Sequence, residues 1–101
     1  MVRVGLVGCG VISAAHLNAY ELMPEAEVVA VCDVVESLAI RRAKEYGVKS
    51  HYSSLDVMLR NEEIDVVDVC VPTLFHAEVS IKALEEGKHV ICLLYTSPSP
   101  R

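Results

Sequence analysis

The sequence has 101 residues, which is the size of one ordinary domain. Its formal net charge of −5, from 9 lysines and arginines against 14 aspartates and glutamates, argues against nucleic acid or an anionic membrane surface as a partner, because both need a basic face. Hydrophobic residues make up 52% of the chain, which predicts a folded core, and no apolar run is long enough to predict a membrane span.

Strand and helix patterns alternate along the chain. Short apolar runs rich in β-branched residues predict strands that are buried on both faces. The predicted strands are Val2–Val7, Glu27–Cys32, Lys49–Tyr52, Ile64–Val71 and His89–Cys92. The predicted helices start after Gly10, near Ser37, at Leu55 after a serine N-cap (Ser53 or Ser54), and near Thr73.

Apolar residues fall at helical spacing in three of these helices. They are Ile12, Ala15, Ala19 and Leu22 in the first helix, Leu38, Ala39, Ala43 and Tyr46 in the second, and Ala77, Ile81 and Leu84 in the last. The alternation predicts an α/β fold, a doubly wound parallel sheet of about five strands with helices on both faces, because strand–helix–strand crossovers are right-handed.

A glycine-rich turn, Gly8-Cys9-Gly10-Val11-Ile12-Ser13, joins the first strand to the first helix. It fits the dinucleotide-binding pattern G-x-G-x-x-G/A except that Ser13 replaces the third small residue. Gly8 allows a tight turn, and Gly10 lets the backbone approach a diphosphate at the start of the helix. The alternative is a glycine turn that joins strand to helix without a ligand.

An acidic residue, Asp33, follows the second strand, where a carboxylate accepts hydrogen bonds from the ribose hydroxyls of an adenosine. A 2′-phosphate would meet a like charge there, so we expect NAD in preference to NADP. Asp33 as a turn or helix-cap carboxylate is the alternative. We expect Arg41 and Arg42 to face solvent.

Other polar and cysteine residues have simpler predicted roles. Asp68 interrupts an apolar strand, and we expect it to reach a helix end or solvent; His16 is expected to be structural. The cysteines show no zinc-binding spacing, so we expect reduced, structural thiols in a cytoplasmic protein and no metal site. They are Cys9, Cys32, Cys70 and Cys92.

Four segments together resemble the amino-terminal domain of the Gfo/Idh/MocA oxidoreductases. The segments are the glycine-rich turn with His16, Val31-Cys32-Asp33, Cys70-Val71-Pro72-Thr73-x-x-His76-Ala77-Glu78, and Glu86-Gly87-Lys88-His89-Val90. The resemblance covers residues 2 to about 92 and implies a Rossmann domain that binds NAD or, less favoured, NADP. It implies cofactor contacts from Gly8, Gly10, Val11, Ile12, Asp33, Val71, Pro72, Thr73 and His76, with a helix-start histidine that contacts no ligand as the alternative for His76.

The resemblance also implies a following domain that binds a sugar, polyol or related CH–OH substrate, and an intact protein that forms homo-oligomers. Residues 93–101 depart from it: family members continue with Glu-Lys-Pro, whose Lys lies beside the nicotinamide, and this chain has Leu93, Leu94 and Tyr95. DNA encoding Cys92 to Arg101 looks like a sequencing-library adapter. We therefore expect a domain over 1–92, a non-native or disordered tail over 93–101, an absent substrate domain, no catalytic residue and no turnover by the chain itself.

Three functions remain open from the sequence. The first is the cofactor-binding half of a nicotinamide-dependent oxidoreductase. The second is a non-catalytic NAD-sensing module. The third is an S-adenosylmethionine-dependent methyltransferase, whose sheet also has a glycine loop and an acidic residue after the second strand.

Overall fold

The computed structural model describes residues 1–92; the side chains of Thr73 and Cys92, and the tail predicted for residues 93–101, lie outside the described part. Five strands and four helices alternate along residues 1–92. The strands are β1 (Val2–Val7), β2 (Ala26–Cys32), β3 (Ser50–Tyr52), β4 (Val66–Val69) and β5 (His89–Cys92). The helices are α1 (Val11–Glu21), α2 (Glu36–Tyr46), α3 (Leu55–Asn61) and α4 (Thr73–Glu85).

All five strands are parallel and lie in the order β3-β2-β1-β4-β5, which confirms the predicted α/β Rossmann-type sheet. The chain moves outward from β1 to β3 and then returns across β1 to form β4 and β5. The carboxyl end of β1 therefore lies where the winding direction reverses, and ligands of open α/β sheets bind at such a point.

The helices cover both faces of the sheet. One apolar cluster joins α1 and α2 to the sheet and includes Leu6, Leu17, Val31, Ala39 and Ala43. A second cluster, on α3 and α4, includes Met58, Leu59, Val67, Val69 and Ala83. Two separate cores on opposite faces are what a doubly wound sheet requires.

The helix ends follow the predicted local signals. Ser54, rather than Ser53, caps α3, because its hydroxyl accepts a hydrogen bond from the backbone N–H of Val57 at 3.4 Å. Gly47 ends α2 in the left-handed conformation, with a φ of 67°. Within residues 1–92, every helix is too short or too polar to span a membrane.

The apolar spacing identifies the packed face of α2 but not those of α1 and α4. In α2, Ala39 and Ala43 are buried as the spacing suggests. In α1, the buried residues are Ser13, His16 and Leu17, while the apolar Leu22 is exposed. The apolar residues predicted for α4 are likewise exposed, and the helix packs through Val79 and Ala83 instead; the exposed residues are Ala77, Ile81 and Leu84.

Candidate functional site

A cleft of about 700 Å³ lies at the carboxyl edge of the sheet, beside the end of β1. It is bounded by the glycine-rich turn, by the residues after β2, and by the segment that links β4 to α4. Seven of the nine predicted cofactor-binding residues line it: Gly8, Gly10, Val11, Ile12, Asp33, Val71 and Pro72. The topology thus brings together residues that are far apart in the sequence.

Gly8 closes the turn against the chain that follows β4. Its φ is +99°, a conformation that side-chain-bearing residues rarely adopt. A Cβ atom at this position would stand 2.7 Å from the backbone carbonyl carbon of Cys70 and 2.8 Å from the backbone nitrogen of Val71. Only glycine fits both the conformation and the close approach of these two backbone segments.

Gly10 presents the opposite case, because it borders open space. A Cβ atom built on it would meet no atom within 4 Å, and its φ of −81° is accessible to any residue. Gly10 is the N-cap of α1, and no described side chain caps that end of the helix. The first N–H groups of a helix lack acceptors within the helix, so this end offers donors and a positive dipole to an anion in the cleft.

Asp33 lies at the cleft with its carboxylate tied to the backbone. The backbone N–H of Cys9 donates to its Oδ2 at 2.7 Å, and the N–H of Val35 donates to its Oδ1 at 2.8 Å. The alternative role as a turn carboxylate is therefore realised in the structure, but Asp33 does not cap α2, whose N-cap is Val35 and lacks a side-chain hydrogen bond. A carboxylate has about four lone-pair sites, so these two bonds leave acceptor capacity for hydroxyl groups.

The segment after β4 holds the remaining predicted residues. Val71 and Pro72 line the cleft, and Thr73 begins α4, with its side chain outside the described part. Nε2 of His76 lies 2.6 Å from the carbonyl oxygen of Val71, so the imidazole donates to the loop backbone. His76 is placed where it can support the loop, and the residues that line the cleft do not include it.

The sequence did not single out the cleft walls formed by α3 and α4. Ser53, Leu55, Phe75 and Glu78 line this side. Glu78 belongs to the segment after β4 that carries the family resemblance, whereas no motif predicts that Ser53, Leu55 or Phe75 lines the cleft. Their signal is positional: each lies in or next to the first turns of a helix that follows a strand.

The prediction that Arg42 faces solvent is wrong. Its Nε donates to Oγ of Ser13 at 3.0 Å, and its Nη2 donates to the carbonyl oxygen of Gly10 at 3.1 Å. Its side chain is 16% exposed, whereas that of Arg41 is 70% exposed, as expected. A long side chain on α2 thus reaches back to the glycine-rich turn.

Asp68 also differs from its expected position, because it is 0% exposed and does not reach a helix end. Its Oδ2 lies 2.7 Å from Nδ1 of His16 and accepts from the hydroxyl of Tyr20 at 2.7 Å. Sγ of Cys70 completes this buried polar cluster, 3.3 Å from Nδ1 of His16. The cluster joins α1 to β4, and His16 is buried within it; the structural role of His16 stays a prediction.

The cysteine thiols near the cleft are free and held protonated. Burial, followed by the nearby Asp33 charge, raises the pKa of Cys9 to about 12 and that of Cys32 to about 11. Burial and the Asp68 charge also raise the pKa of Cys70. Thiols are poor nucleophiles and metal ligands until they ionise, so these residues fit a structural role.

The cleft has the groups that a dinucleotide requires. The uncapped start of α1 can hold a diphosphate, and the space before Gly10 allows it to approach the backbone. Asp33 keeps acceptors for ribose hydroxyls, and the apolar walls suit a planar base. The cleft volume also lies in the range of cofactor and ligand pockets.

Comparison with known proteins gives the same assignment. The family model for "Oxidoreductase family, NAD-binding Rossmann fold" matches residues 2–92. Among curated relatives, D-glucoside 3-dehydrogenase of Escherichia coli is 41% identical over 91 residues, a match that covers 89% of this chain and 26% of the relative. Inositol 2-dehydrogenase of Salmonella typhimurium is 30% identical over 92 residues, which covers 89% of this chain and 27% of the relative. The chain spans about a quarter of the length of these relatives.

Solved structures agree over most of the chain. The WlbA dehydrogenase from Bordetella pertussis, in complex with NADH and UDP-GlcNAcA, superimposes with a TM-score of 0.85 at 32% identity, covering 90% of this chain and 28% of that one. Scyllo-inositol dehydrogenase from Lactobacillus casei, with NAD(H) and scyllo-inositol, gives 0.82 at 29% identity, covering 91% and 27%.

Proposed function

The chain belongs to the Gfo/Idh/MocA family of oxidoreductases, as an NAD-binding Rossmann domain, and we propose that it serves an enzyme that oxidises a CH–OH group of a sugar or polyol. The observation that carries this proposal is the shared cleft. The uncapped start of α1 and the Asp33 carboxylate face the same cleft at the reversal point of the sheet.

The residues of this chain bind and orient the cofactor. The amides at the start of α1 hold the diphosphate, and Gly10 keeps the approach free of a side chain. Asp33 accepts the hydroxyls of the adjoining ribose and disfavours a 2′-phosphate by charge repulsion, so NAD is preferred over NADP. The Val71–Pro72 segment, supported by the imidazole of His76, borders the path toward the nicotinamide.

The chemical step depends on the cofactor, which, when bound, would supply a nicotinamide ring as the acceptor of a hydride from the CH–OH carbon, while the hydroxyl proton would pass to a base. The contribution of residues 1–92 is to orient the dinucleotide at a fixed position. We propose no catalytic side chain among these residues. The position where the family resemblance implies a catalytic Lys is Leu94, which lies outside the described residues.

The substrate class is supported by the relatives. D-glucoside 3-dehydrogenase and inositol 2-dehydrogenase are both named for sugar or polyol substrates. We also propose a cytoplasmic location, because Cys9, Cys32 and Cys70 are free thiols and reduced thiols are typical of that compartment. A homo-oligomer of the intact protein stays a prediction.

Calorimetric titration of the 101-residue chain tests the cofactor part of this proposal. We expect heat of binding with NAD, weaker binding with NADP and none with S-adenosylmethionine. Binding of S-adenosylmethionine alone would instead favour the methyltransferase hypothesis.

The substrate part needs a second experiment. The locus is resequenced past codon 92, and the product of the complete coding sequence is assayed with NAD against a panel of sugars and polyols. Formation of reduced nicotinamide with members of the panel is the expected result. Tight NAD binding without turnover of any CH–OH compound would favour the NAD-sensing module.

A further inference from the structure

We propose that Arg42 is a positioning residue for the diphosphate of the cofactor, acting through the backbone of the glycine-rich turn. The inference rests on the NAD site of the proposed function and adds a role for a side chain that never touches the ligand. Its basis is a set of hydrogen bonds between α2 and the N-cap of α1.

The guanidinium binds two acceptors of the turn at once. Nη2 donates to the carbonyl oxygen of Gly10 at 3.1 Å, and Nε donates to Oγ of Ser13 at 3.0 Å. The Ser13 hydroxyl itself donates to the same Gly10 carbonyl at 2.5 Å, and the Ser13 backbone N–H does so at 3.2 Å. Three donors therefore converge on one carbonyl oxygen.

Fixing this carbonyl fixes the amide on the other side of the same peptide. The peptide between Gly10 and Val11 is planar and trans, so its N–H points opposite to its C=O. With the carbonyl held toward α2, the N–H of Val11 is directed outward from the helix start, and both residues line the cleft. Val11 is 89% exposed, so its side chain does not hold the turn.

Arg42 is itself held in place. Its Nη1 contacts Oε1 of Glu45 at 2.5 Å, and its side chain is largely buried between the two helices. The ion pair lowers the pKa of Glu45, mainly through the hydrogen bond from Arg42, so the pair stays charged at neutral pH. A fixed positive charge thus lies one peptide behind the place where the diphosphate would bind.

The buried hydroxyl of Ser13 explains why a guanidinium with two donor positions is needed at residue 42. The dinucleotide pattern has a glycine or alanine at this position, and the hydroxyl of Ser13 introduces a polar group that is fully buried. Buried hydroxyls require partners, and this one obtains an acceptor in Gly10 and a donor in Arg42. The guanidinium is planar and carries its donors in a fixed geometry, which lets one side chain serve both atoms.

The experiment compares Arg42→Gln with Arg41→Gln in the 101-residue chain. Arg41 is the matched control, because it lies next to Arg42 on α2 and pairs with the same Glu45, but it is exposed. NAD and adenosine are titrated against each variant, with calorimetry for NAD and amide resonances for the weaker adenosine. Adenosine lacks the diphosphate, so it reports any general damage to the cleft.

We expect Arg42→Gln to weaken NAD about tenfold, the size of one hydrogen bond to a charged group, and to change adenosine binding less than about twofold. Arg41→Gln is expected to change neither ligand. The amide resonance of Val11 should shift on addition of NAD to the wild-type chain and shift less in Arg42→Gln. Equal losses for NAD and adenosine, or unchanged NAD binding, would overturn the proposal.

Arg42→Lys decides the question if Arg42→Gln does not fold. Lysine keeps the charge but lacks the planar guanidinium that binds both acceptors. We therefore expect an NAD affinity about threefold below wild type and an unchanged adenosine affinity. Wild-type NAD affinity in this variant would contradict the two-point contact. Absence of NAD binding by the wild-type chain would count against the proposed function instead, so the two failures are distinguishable.

Discussion

Two aspartates flank the central strand β1, and the structure uses them differently. Asp33 follows β2 at the cleft, where its carboxylate accepts hydrogen bonds from the backbone of Cys9 and Val35. Asp68 lies within β4, fully buried, and its partners are the side chains of His16 and Tyr20. Both β2 and β4 pair with β1, but Asp33 borders the cleft whereas Asp68 is enclosed.

This difference separates an acid that stabilises the fold from one that is available to a ligand. Asp68 has its acceptors directed at α1 inside the protein, so its loss removes the carboxylate to which His16 and Tyr20 bind. Asp33 is anchored by backbone amides and keeps further lone pairs toward the cleft. Burial and the nature of the partners, rather than residue type, therefore indicate which carboxylate recognises the cofactor.

We expect the largest effect on stability from replacing the buried Asp68. Asp68→Ala leaves Nδ1 of His16 and the hydroxyl of Tyr20 without their acceptor, so we expect the free energy of unfolding to fall by about 3 kcal/mol. Urea denaturation followed by circular dichroism measures this. The control is Asp56→Ala, which removes an exposed ion pair with Lys82 and is expected to cost less than about 1 kcal/mol. Similar losses in the two variants would show that the buried cluster is not a stability element.

The two glycines of the turn differ in the same way, since Gly8 is enclosed by backbone atoms and Gly10 borders open space. Gly8→Ala combines a φ of +99° with a backbone clash at 2.7 Å, so we expect a loss of unfolding free energy of about 2 kcal/mol or more. Gly10→Ala meets no neighbour and is expected to leave stability within about 0.5 kcal/mol, while NAD binding weakens by about tenfold because the methyl group occupies the approach to the helix start. Denaturation and NAD titration of both variants test this. A Gly10→Ala variant with wild-type affinity would show that the diphosphate lies elsewhere.

On the cleft side, Asp33→Asn changes recognition more than stability. We expect NAD to bind about tenfold more weakly, and NADP to gain relative to NAD, because the like charge facing the 2′-phosphate is removed. Competitive titration with the two dinucleotides gives the ratio directly. An unchanged NAD-to-NADP ratio would mean that Asp33 serves only as the cap of its own turn.

We expect the smallest effect on the reactivity of the cysteine thiols, which depends on the charges of Asp33 and Asp68. The Asp33 charge contributes to the raised pKa of Cys9 and Cys32, and the Asp68 charge to that of Cys70. Alkylation requires the thiolate, so the folded chain should react slowly at neutral pH and faster as the pH approaches about 11, the pKa of Cys32.

Iodoacetamide labelling with mass-spectrometric site assignment follows this reactivity. Asp33→Asn should speed labelling of Cys9 and Cys32, and Asp68→Asn should leave these two unchanged as long as the variant is folded. Rapid labelling of Cys32 in the wild-type chain at neutral pH would contradict its burial. Chain unfolded in urea provides the reference rate.

The sequence predicts the sheet, its helices and the part of the cleft around the glycine-rich turn because these depend on local signals. The hydrophobic period, the glycine turn and the acidic residue directly after β2 are each recognised from a few neighbouring residues. The packed face of α2 also follows from spacing, since its partners on the sheet are apolar and Ala39 and Ala43 match them.

The packed face of α1 could not be found from apolar spacing because that face is partly polar. Ser13, His16 and Tyr20 point inward since their partners, Asp68 and Arg42, come from other elements. One signal was present: an aspartate within an apolar strand requires donors, and a histidine and a tyrosine four residues apart share one helix face. The reach of Arg42 had no such signal, because it depends on the distance between two helices.

The glycine-rich turn is held by both strands that flank β1. The N–H of Gly8 donates to the carbonyl of Cys32, and the N–H of Cys70 donates to the carbonyl of Val7, each at 2.7 Å. The turn is therefore complete only when both flanking strands have docked, and closing such long loops is a slow, entropically costly event in folding. The site exists only in the folded chain. NAD at one hundred times its dissociation constant would therefore raise the free energy of unfolding by about 2.7 kcal/mol. Bound cofactor would thus stabilise the junction at which the turn, the end of β2 and the end of β4 meet.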